Sequence, residues 1–236
     1  HLHDLAEDIA RLRVGRLRLV APPSFSEGVL PEVVASFLER FPDVQLSIDS
    51  RSVETAKAMI ASRVVDAGFV KTPVDRDDLA VEPLISSGTV CVLAKRHHLA
   101  GETFLDPARL RGEPLILLGY GGRSRARIEA AFSDAGVVPN VRIETHTIGS
   151  ACGLAAKNIG ISIVNALLAR PYLRDGLVAL PFRPNLRHEY AFVTAAEPGP
   201  TRLAREFLEH SRRWLATLDS VGQGRSTARP SRTRRR

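Results

Sequence analysis

The chain alternates between two hydrophobic periods. From Arg16, RLRLVAPP places apolar residues at every second position, the pattern of a strand. The following SFSEGVLPEVVASFLERFP carries Leu30, Val33, Val34, Phe37 and Leu38 at the spacing of one helix face, and predicts a single helix. VQLSIDSR, from Val44 to Arg51, alternates again. VETAKAMIASRVV turns Ala56, Met59 and Ile60 to one side as a helix, and AGFVKTP is a short buried strand closed by Pro73. Strands that alternate with helices at these short intervals pair in parallel through helical crossovers, which is α/β architecture.

A second series repeats the same logic. TVCVLAKRHHLA (Thr89 to Ala100) is a strand running into a polar loop, and DPARLRGEPLILLGY reads as a short helix feeding a further strand. GGRSRARIEAAFSDAGVVP and GSACGLAAKNIG read as helices, VRIETHTI as a strand, and ISIVNALLA as a strand and turn. GLVALPF and RHEYAFVTAA close the series as strands. TRLAREFLEHSRRWLATL is an amphipathic helix with Leu203, Phe207, Trp214 and Leu218 on its apolar stripe. The pattern predicts two Rossmann-like lobes joined by a two-strand hinge: 14–87 with 191–219 as lobe I, and 88–190 as lobe II. Residues 1–13 read as the end of a linker helix and 220–236 as a disordered basic tail.

Composition supports this division. The chain has 236 residues and is 44% hydrophobic, enough for two such lobes. Its formal charge of +7 is concentrated at the end: the last 16 residues, VGQGRSTARPSRTRRR, hold six Arg and no acid, which leaves the remainder near +1. That tail lacks the apolar residues needed to offset its ordering entropy, and it carries no argument for sequence-specific DNA binding. No long apolar run and no signal-peptide pattern is present in HLHDLAEDIARLRVG, so a soluble, cytoplasmic protein with no membrane contact is expected. Cys91 and Cys152 have no CxxC partner and read as buried small side chains.

Two α/β lobes leave a cleft at the carboxyl ends of their strands, where such sheets place ligands. Three strand-to-helix turns reach that rim: 22–26 with Ser24 and Ser26, 119–124 with Ser124, and 145–150 with Thr147. Helix N-termini carry about half a positive charge and free N–H donors, so an anionic or zwitterionic ligand is expected there. The alternative is that these hydroxyls only cap their own helices. Arg123 is the stronger candidate for a bidentate carboxylate contact, ahead of Arg125.

Other chemistries lack their signatures. Gly119-Tyr120-Gly121-Gly122 has neither the Walker Lys-Ser/Thr nor a GxGxxG with a downstream acid. His97, His98 and His146 show no HExxH or equivalent pairing, so no metal and no cofactor are expected. No GxSxG elbow or paired carboxylates appear, and the chain does not read as an enzyme. Cys152 is the one conceivable thiol nucleophile; its place just inside a helix start would lower its pKa, yet it has no evident base, and slow alkylation is expected.

The segment G-RLRLVAPPSFSEGVLPEVVASFLERFPDVQLSID resembles the opening of LysR-type effector domains, with LP after the first helix and FP before the second strand. ASRVVDAGFV is similar to that family's G-x-L-D-x-A-I entry, with Arg63 and Val65 replacing Gly and Leu. VCVLAKRHHLA is similar to its P-x-x-H-P-L-A loop, with His98 replacing Pro. CGLAAKNIGISIVNALLA resembles its V-x-x-G-x-G-I-x-x-x-P element, with Asn158 for Gly and Asn165 near the usual Pro; the likeness runs from about residue 13 to 218. GYGGRSRARIEAAF and SIVN look closest to members that sense amino acids or opines.

The resemblance implies a type 2 periplasmic-binding-protein-like fold and a ligand-sensing domain of a DNA-binding transcriptional regulator. It implies contacts from Ser24 and Ser26 of lobe I, Lys71 and Thr72 near the crossover, and Tyr120, Arg123, Ser124, Thr147 and Asn165 of lobe II. The effector would be an amino acid, opine or small carboxylate. It would act by shifting the balance between lobe arrangements of a homodimer or homotetramer, with the helix from Val53 to Val64 at the interface. DNA would be met only through an N-terminal helix-turn-helix that these residues do not include. A solute-binding protein of the same fold is the alternative, as is an α/β transferase using the same cleft.

Overall fold

The computed structural model describes residues 15–119, 122–173 and 176–223. The linker helix expected over 1–13 lies outside the described residues, as do Tyr120 and residues 224–236; the tail expected over 220–236 begins later than read, because 220–223 continue the last helix.

Strand β1 (Arg16–Ala21) buries Leu17, Leu19, Val20 and Ala21 completely, as a central strand of a parallel set must. Outward-facing Arg18 pairs with Asp66 at 2.7 Å. The apolar run after β1 is two helices, not the single one its period predicts: α1 (Pro23–Gly28) and α2 (Leu30–Arg40). Pro31 breaks them apart, because it has no N–H to donate and its ring clashes with the carbonyl four residues back, whereas it is well suited to the first turn of α2. Leu30, Val33 and Phe37 form the buried face of α2.

β2 (Gln45–Ser50), α3 (Val53–Ala61) and β3 (Ala67–Lys71) follow, and both strands run parallel to β1. Gly68 is required in β3: a Cβ there would stand 2.7 Å from the Val20 carbonyl oxygen of β1. β4 (Leu79–Ser87) is the far edge of the first sheet, and the chain passes through Gly88 into β5 (Thr89–Ala94) of a second.

Residues 106–112, expected to begin with a helix, form turns instead. The second sheet then takes β6 (Leu115–Leu118), α4 (Arg123–Asp134), β7 (Val141–Thr145), α5 (Ile148–Ala156), β8 (Ile161–Asn165), the single turn α6 (Ala166–Ala169) and β9 (Leu177–Pro181). β10 (His188–Ala195) returns the chain to the first sheet, earlier than the residue 191 read from sequence, and α7 (Arg202–Gln223) ends the described fold.

The strand orders are β2-β1-β3-β10-β4 and β7-β6-β8-β5-β9. In each, parallel crossover strands lie on one side and the crossing segments supply the antiparallel ones, which is the two-lobed α/β arrangement expected. α7 packs on the first sheet through Leu203, Ala204, Phe207, Leu208 and Leu215, while Trp214 and Leu218 are only partly buried. Phe207 meets Phe37 edge-on at 4.9 Å, and Phe25 stacks on Phe69 at 4.6 Å. α1, α5 and α6 carry the same apolar cluster from one sheet to the other, so the lobes share a packed floor beneath the cleft.

Candidate functional site

Lys71 ends β3, and its side chain crosses the cleft. Nζ donates to the Ser124 hydroxyl in the first turn of α4 and lies 3.3 Å from His188 Nδ1. Ser124 Oγ is 3.1 Å from the same nitrogen. His188 is 5% exposed at the start of β10, and its Nε2 lies 2.8 Å from Thr89 Oγ1.

The proton positions follow from the last link. Thr89 spends its own proton on the Leu186 carbonyl at 2.7 Å, so it accepts from His188 Nε2–H. Nδ1 faces the Lys71 ammonium, which has only protons to offer, so Nδ1 is the acceptor and the ring is neutral. Burial first, then the charges of Lys71 and Arg127, hold the imidazole down to about 4. Burial first, then Arg127, lowers the Lys71 ammonium to about 8.

A second bridge crosses the floor. The Ile148 N–H, at the first position of α5, donates to Ser24 Oγ at 3.4 Å. Asn165 ends β8 and caps α6: its Oδ1 accepts from the Leu168 N–H and from the Ser87 hydroxyl, each at 3.1 Å. Ser87, the last residue of β4, accepts from the Leu167 N–H at 3.0 Å, so the hinge, β8 and α6 are tied at one point.

An inner cavity of about 260 Å³ is lined by Ser24, Lys71, Ser124, Asn165, His188 and Tyr190 among others. Two wider spaces of about 750 and 620 Å³ share Lys71, Thr72, Arg123 and Ser124. Outside the local pair Lys57–Glu54 and the buried Arg125, their walls carry Lys71, Arg123, Arg127 and Arg187 against Asp75 and Glu189. The cleft is a net cationic site.

The structure thus brings Ser24, Lys71, Thr72, Arg123, Ser124 and Asn165 to one cleft. Ser26 and Thr147 are not on its walls. Ser26 donates to the Ala21 carbonyl, and Thr147 caps α5 by accepting from the Ser150 N–H at 3.1 Å, so for these two the local role is the one observed. Arg125 and Arg123 take different places. Arg123 is exposed at the mouth, whereas Arg125 is buried, pairs with Glu129 at 2.7 Å and Glu144 at 3.4 Å, and donates to the Leu118 carbonyl, fixing the end of β6. His188, Thr89, Arg127 and Arg187 escaped the sequence reading. Their partners are too distant along the chain for any local spacing to mark them.

Cys152 lies beyond the first turn of α5, and burial raises its thiol to about 11, against the lowering expected from a helix start. His97, His98 and Glu113 bring ligand-type atoms within 4.8 Å of one another away from the cleft walls. His97 Nδ1 accepts from the Leu99 N–H, so its proton sits on Nε2, 3.5 Å from the Glu113 carboxylate. That tautomer suits a hydrogen bond to Glu113 and opposes a metal at Nε2.

Two α/β lobes, two crossing strands and a polar cleft on a shared floor define a two-lobed ligand-binding domain of the type 2 periplasmic-binding-protein-like kind. A family model described as the LysR substrate binding domain matches residues 10–216, and the chain belongs to that family. The transcriptional activator protein LysR of Escherichia coli (strain K12) is 28% identical over 227 residues, 94% of this chain and 73% of that protein. The octopine catabolism/uptake operon regulatory protein OccR of Rhizobium meliloti is 27% identical over 208 residues, 88% of this chain and 68% of that protein. The regulatory domain of CcmR from Synechocystis PCC6803, solved in complex with 2-PG, matches with a TM-score of 0.71 at 21% identity, covering 85% of this chain and 97% of that one. No helix among the described residues is long and apolar enough to cross a membrane.

Proposed function

We propose that this domain senses a small anionic or amphoteric metabolite in its inter-lobe cleft, for a LysR-type regulator that binds DNA through a separate helix-turn-helix. The observation that carries this reading is the Lys71–Ser124–His188 network, which joins the lobes through a cationic group at the cavity itself. A ligand that competes for Lys71 must alter how the lobes are held, and a ligand acts on such an equilibrium only by binding one arrangement better than the other. Typical couplings of about 1 to 3 kcal/mol suffice, and no bond need be made or broken in the ligand. The relative named for an octopine operon and the neighbour solved with 2-PG are consistent with small effectors.

A thermal-shift panel of amino acids, opines and small carboxylates tests this. An effector at a hundred times its Kd adds about 2.7 kcal/mol of stability. A panel without any stabilising member refutes the reading.

Pairing of two copies through β2 and α3 belongs to the same proposal. β2 is an edge strand, and Ile48 on it and Val64 just beyond α3 are exposed, at 42% and 55%. Ile48→Asp is expected to halve the mass measured by light scattering; an unchanged mass removes this face from the interface.

A further inference from the structure

Asn165 is 4% exposed, and its side-chain amide is satisfied at one end alone. Both lone-pair sites of Oδ1 are taken, by the Leu168 N–H and the Ser87 hydroxyl. Nδ2 is buried with no partner among the described residues, and Asn165 lines the inner cavity. Reversing the amide gives no relief. It would set NH₂ against the Leu168 N–H and break the cap of α6, so the orientation is fixed and the donor end is the free one. A buried N–H without an acceptor is costly and uncommon enough to need an explanation.

The rest of the cavity says what is missing. Ile148, Ile163, Val164 and Leu168 give it apolar walls, and Lys71 Nζ is a second donor, carrying charge. Of its two imidazoles, His188 turns its acceptor Nδ1 to Lys71 and Ser124, and His146 stands beside Leu118 and Arg125 on the same lining. The cavity offers donors and asks for acceptors.

We propose that Asn165 is a specificity-determining residue that reads the buried head of the effector as a carboxylate, one oxygen on Nδ2 and the head's charge opposite Lys71. An ammonium head is disfavoured, since it would set a further group of N–H donors against Asn165 Nδ2, whose neighbouring Oδ1 is already taken, and place like charges together at Lys71. An amphoteric effector therefore enters carboxylate first, with its amine toward Asp75 and Glu189 in the wider spaces. This inference rests on the cleft being the effector site.

The test uses the whole chain and a panel of short mono- and dicarboxylates and α-amino acids, each beside the amide and amine that replace its carboxylate, read by thermal shift and calorimetry. Carboxylates are expected to bind, amides more weakly, and amines without a carboxylate not at all. Asn165→Asp keeps an oxygen for Leu168 and Ser87 but sets an acceptor where the donor was, so carboxylate affinity should fall about a hundredfold, beyond any lowering of the ligand-free melting point from the buried charge. Amines binding as well as acids would overturn the donor corner while leaving the cleft as the effector site. So would Asn165→Asp holding the carboxylate within about threefold of wild type. That ligand comparison on the unmodified chain stands even if the variant does not fold. A panel in which nothing binds would instead overturn the cleft reading beneath the proposal.

Discussion

His188 should set an acid limit on the stability of this domain. Its second proton could enter only at Nδ1, the atom that accepts from Lys71 and Ser124, in a site 5% exposed and already facing an ammonium. Burial first, then Lys71 and Arg127, takes the imidazole from its ordinary 6.5 to about 4. The unfolded chain takes up this proton near pH 6.5 and the folded chain only near pH 4, so between them the unfolded state holds more protons. The associated stability is complete above about pH 6.5 and is lost as pH falls toward 4. At about 1.4 kcal/mol per pH unit, the loss by pH 4 is on the order of 3 kcal/mol, a large share of a typical 5 to 15 kcal/mol. His188→Gln isolates it, because the amide can accept from Lys71 and donate to Thr89 without titrating. Urea unfolding at pH 7 and at about pH 4 should show wild type losing roughly 3 kcal/mol more than the variant, with the carboxylates common to both cancelling in the difference. Parallel pH profiles would refute both the tautomer and the burial argument.

Three more outcomes follow from the site. Arg125→Met should cost about 2 to 3 kcal/mol in urea unfolding, less than the 3 to 5 of a fully buried broken pair because Glu129 and Glu144 are 39% and 31% exposed; Arg123→Ala should stay within about 0.5. Equal effects would mean that Arg125 does not anchor β6. With its thiol raised to about 11 and the residue 1% exposed, Cys152 should alkylate with iodoacetamide at neutral pH far more slowly in the folded chain than in urea, and equal rates would contradict the packing of α5. Ser24→Ala removes the acceptor for the Ile148 N–H and should lower ligand-free stability by about 1 kcal/mol while weakening carboxylate binding; loss of stability alone would make Ser24 a strut only.

The limits of sequence reading here are set by range along the chain. The periods of β1, β2, β3 and α2 are local, and they mark the elements directly. Pro31 is local too, yet the apolar spacing continues across it, so a reading by period alone joins α1 to α2.

The site divides the same way. Three serines or threonines in strand-to-helix turns look alike in sequence, but Thr147 finds its partner three residues on and Ser26 five residues back, while Ser24 reaches 124 residues to Ile148. No feature of Ser24 itself separates it from the others. The difference lies in the connections from β4 to β5 and from β9 to β10, which pass between the sheets and bring α1 against α5.

His188 is the extreme case: its partners Ser124, Thr89 and Lys71 lie 64, 99 and 117 residues away. One His among seven with no spaced partner carries no local signal. Its position becomes legible only once Thr89 and His188 are recognised as the residues at which the two crossing strands enter their new sheets. The polar junction of the cleft is thus built at the hinge, where a change in lobe disposition must be felt first.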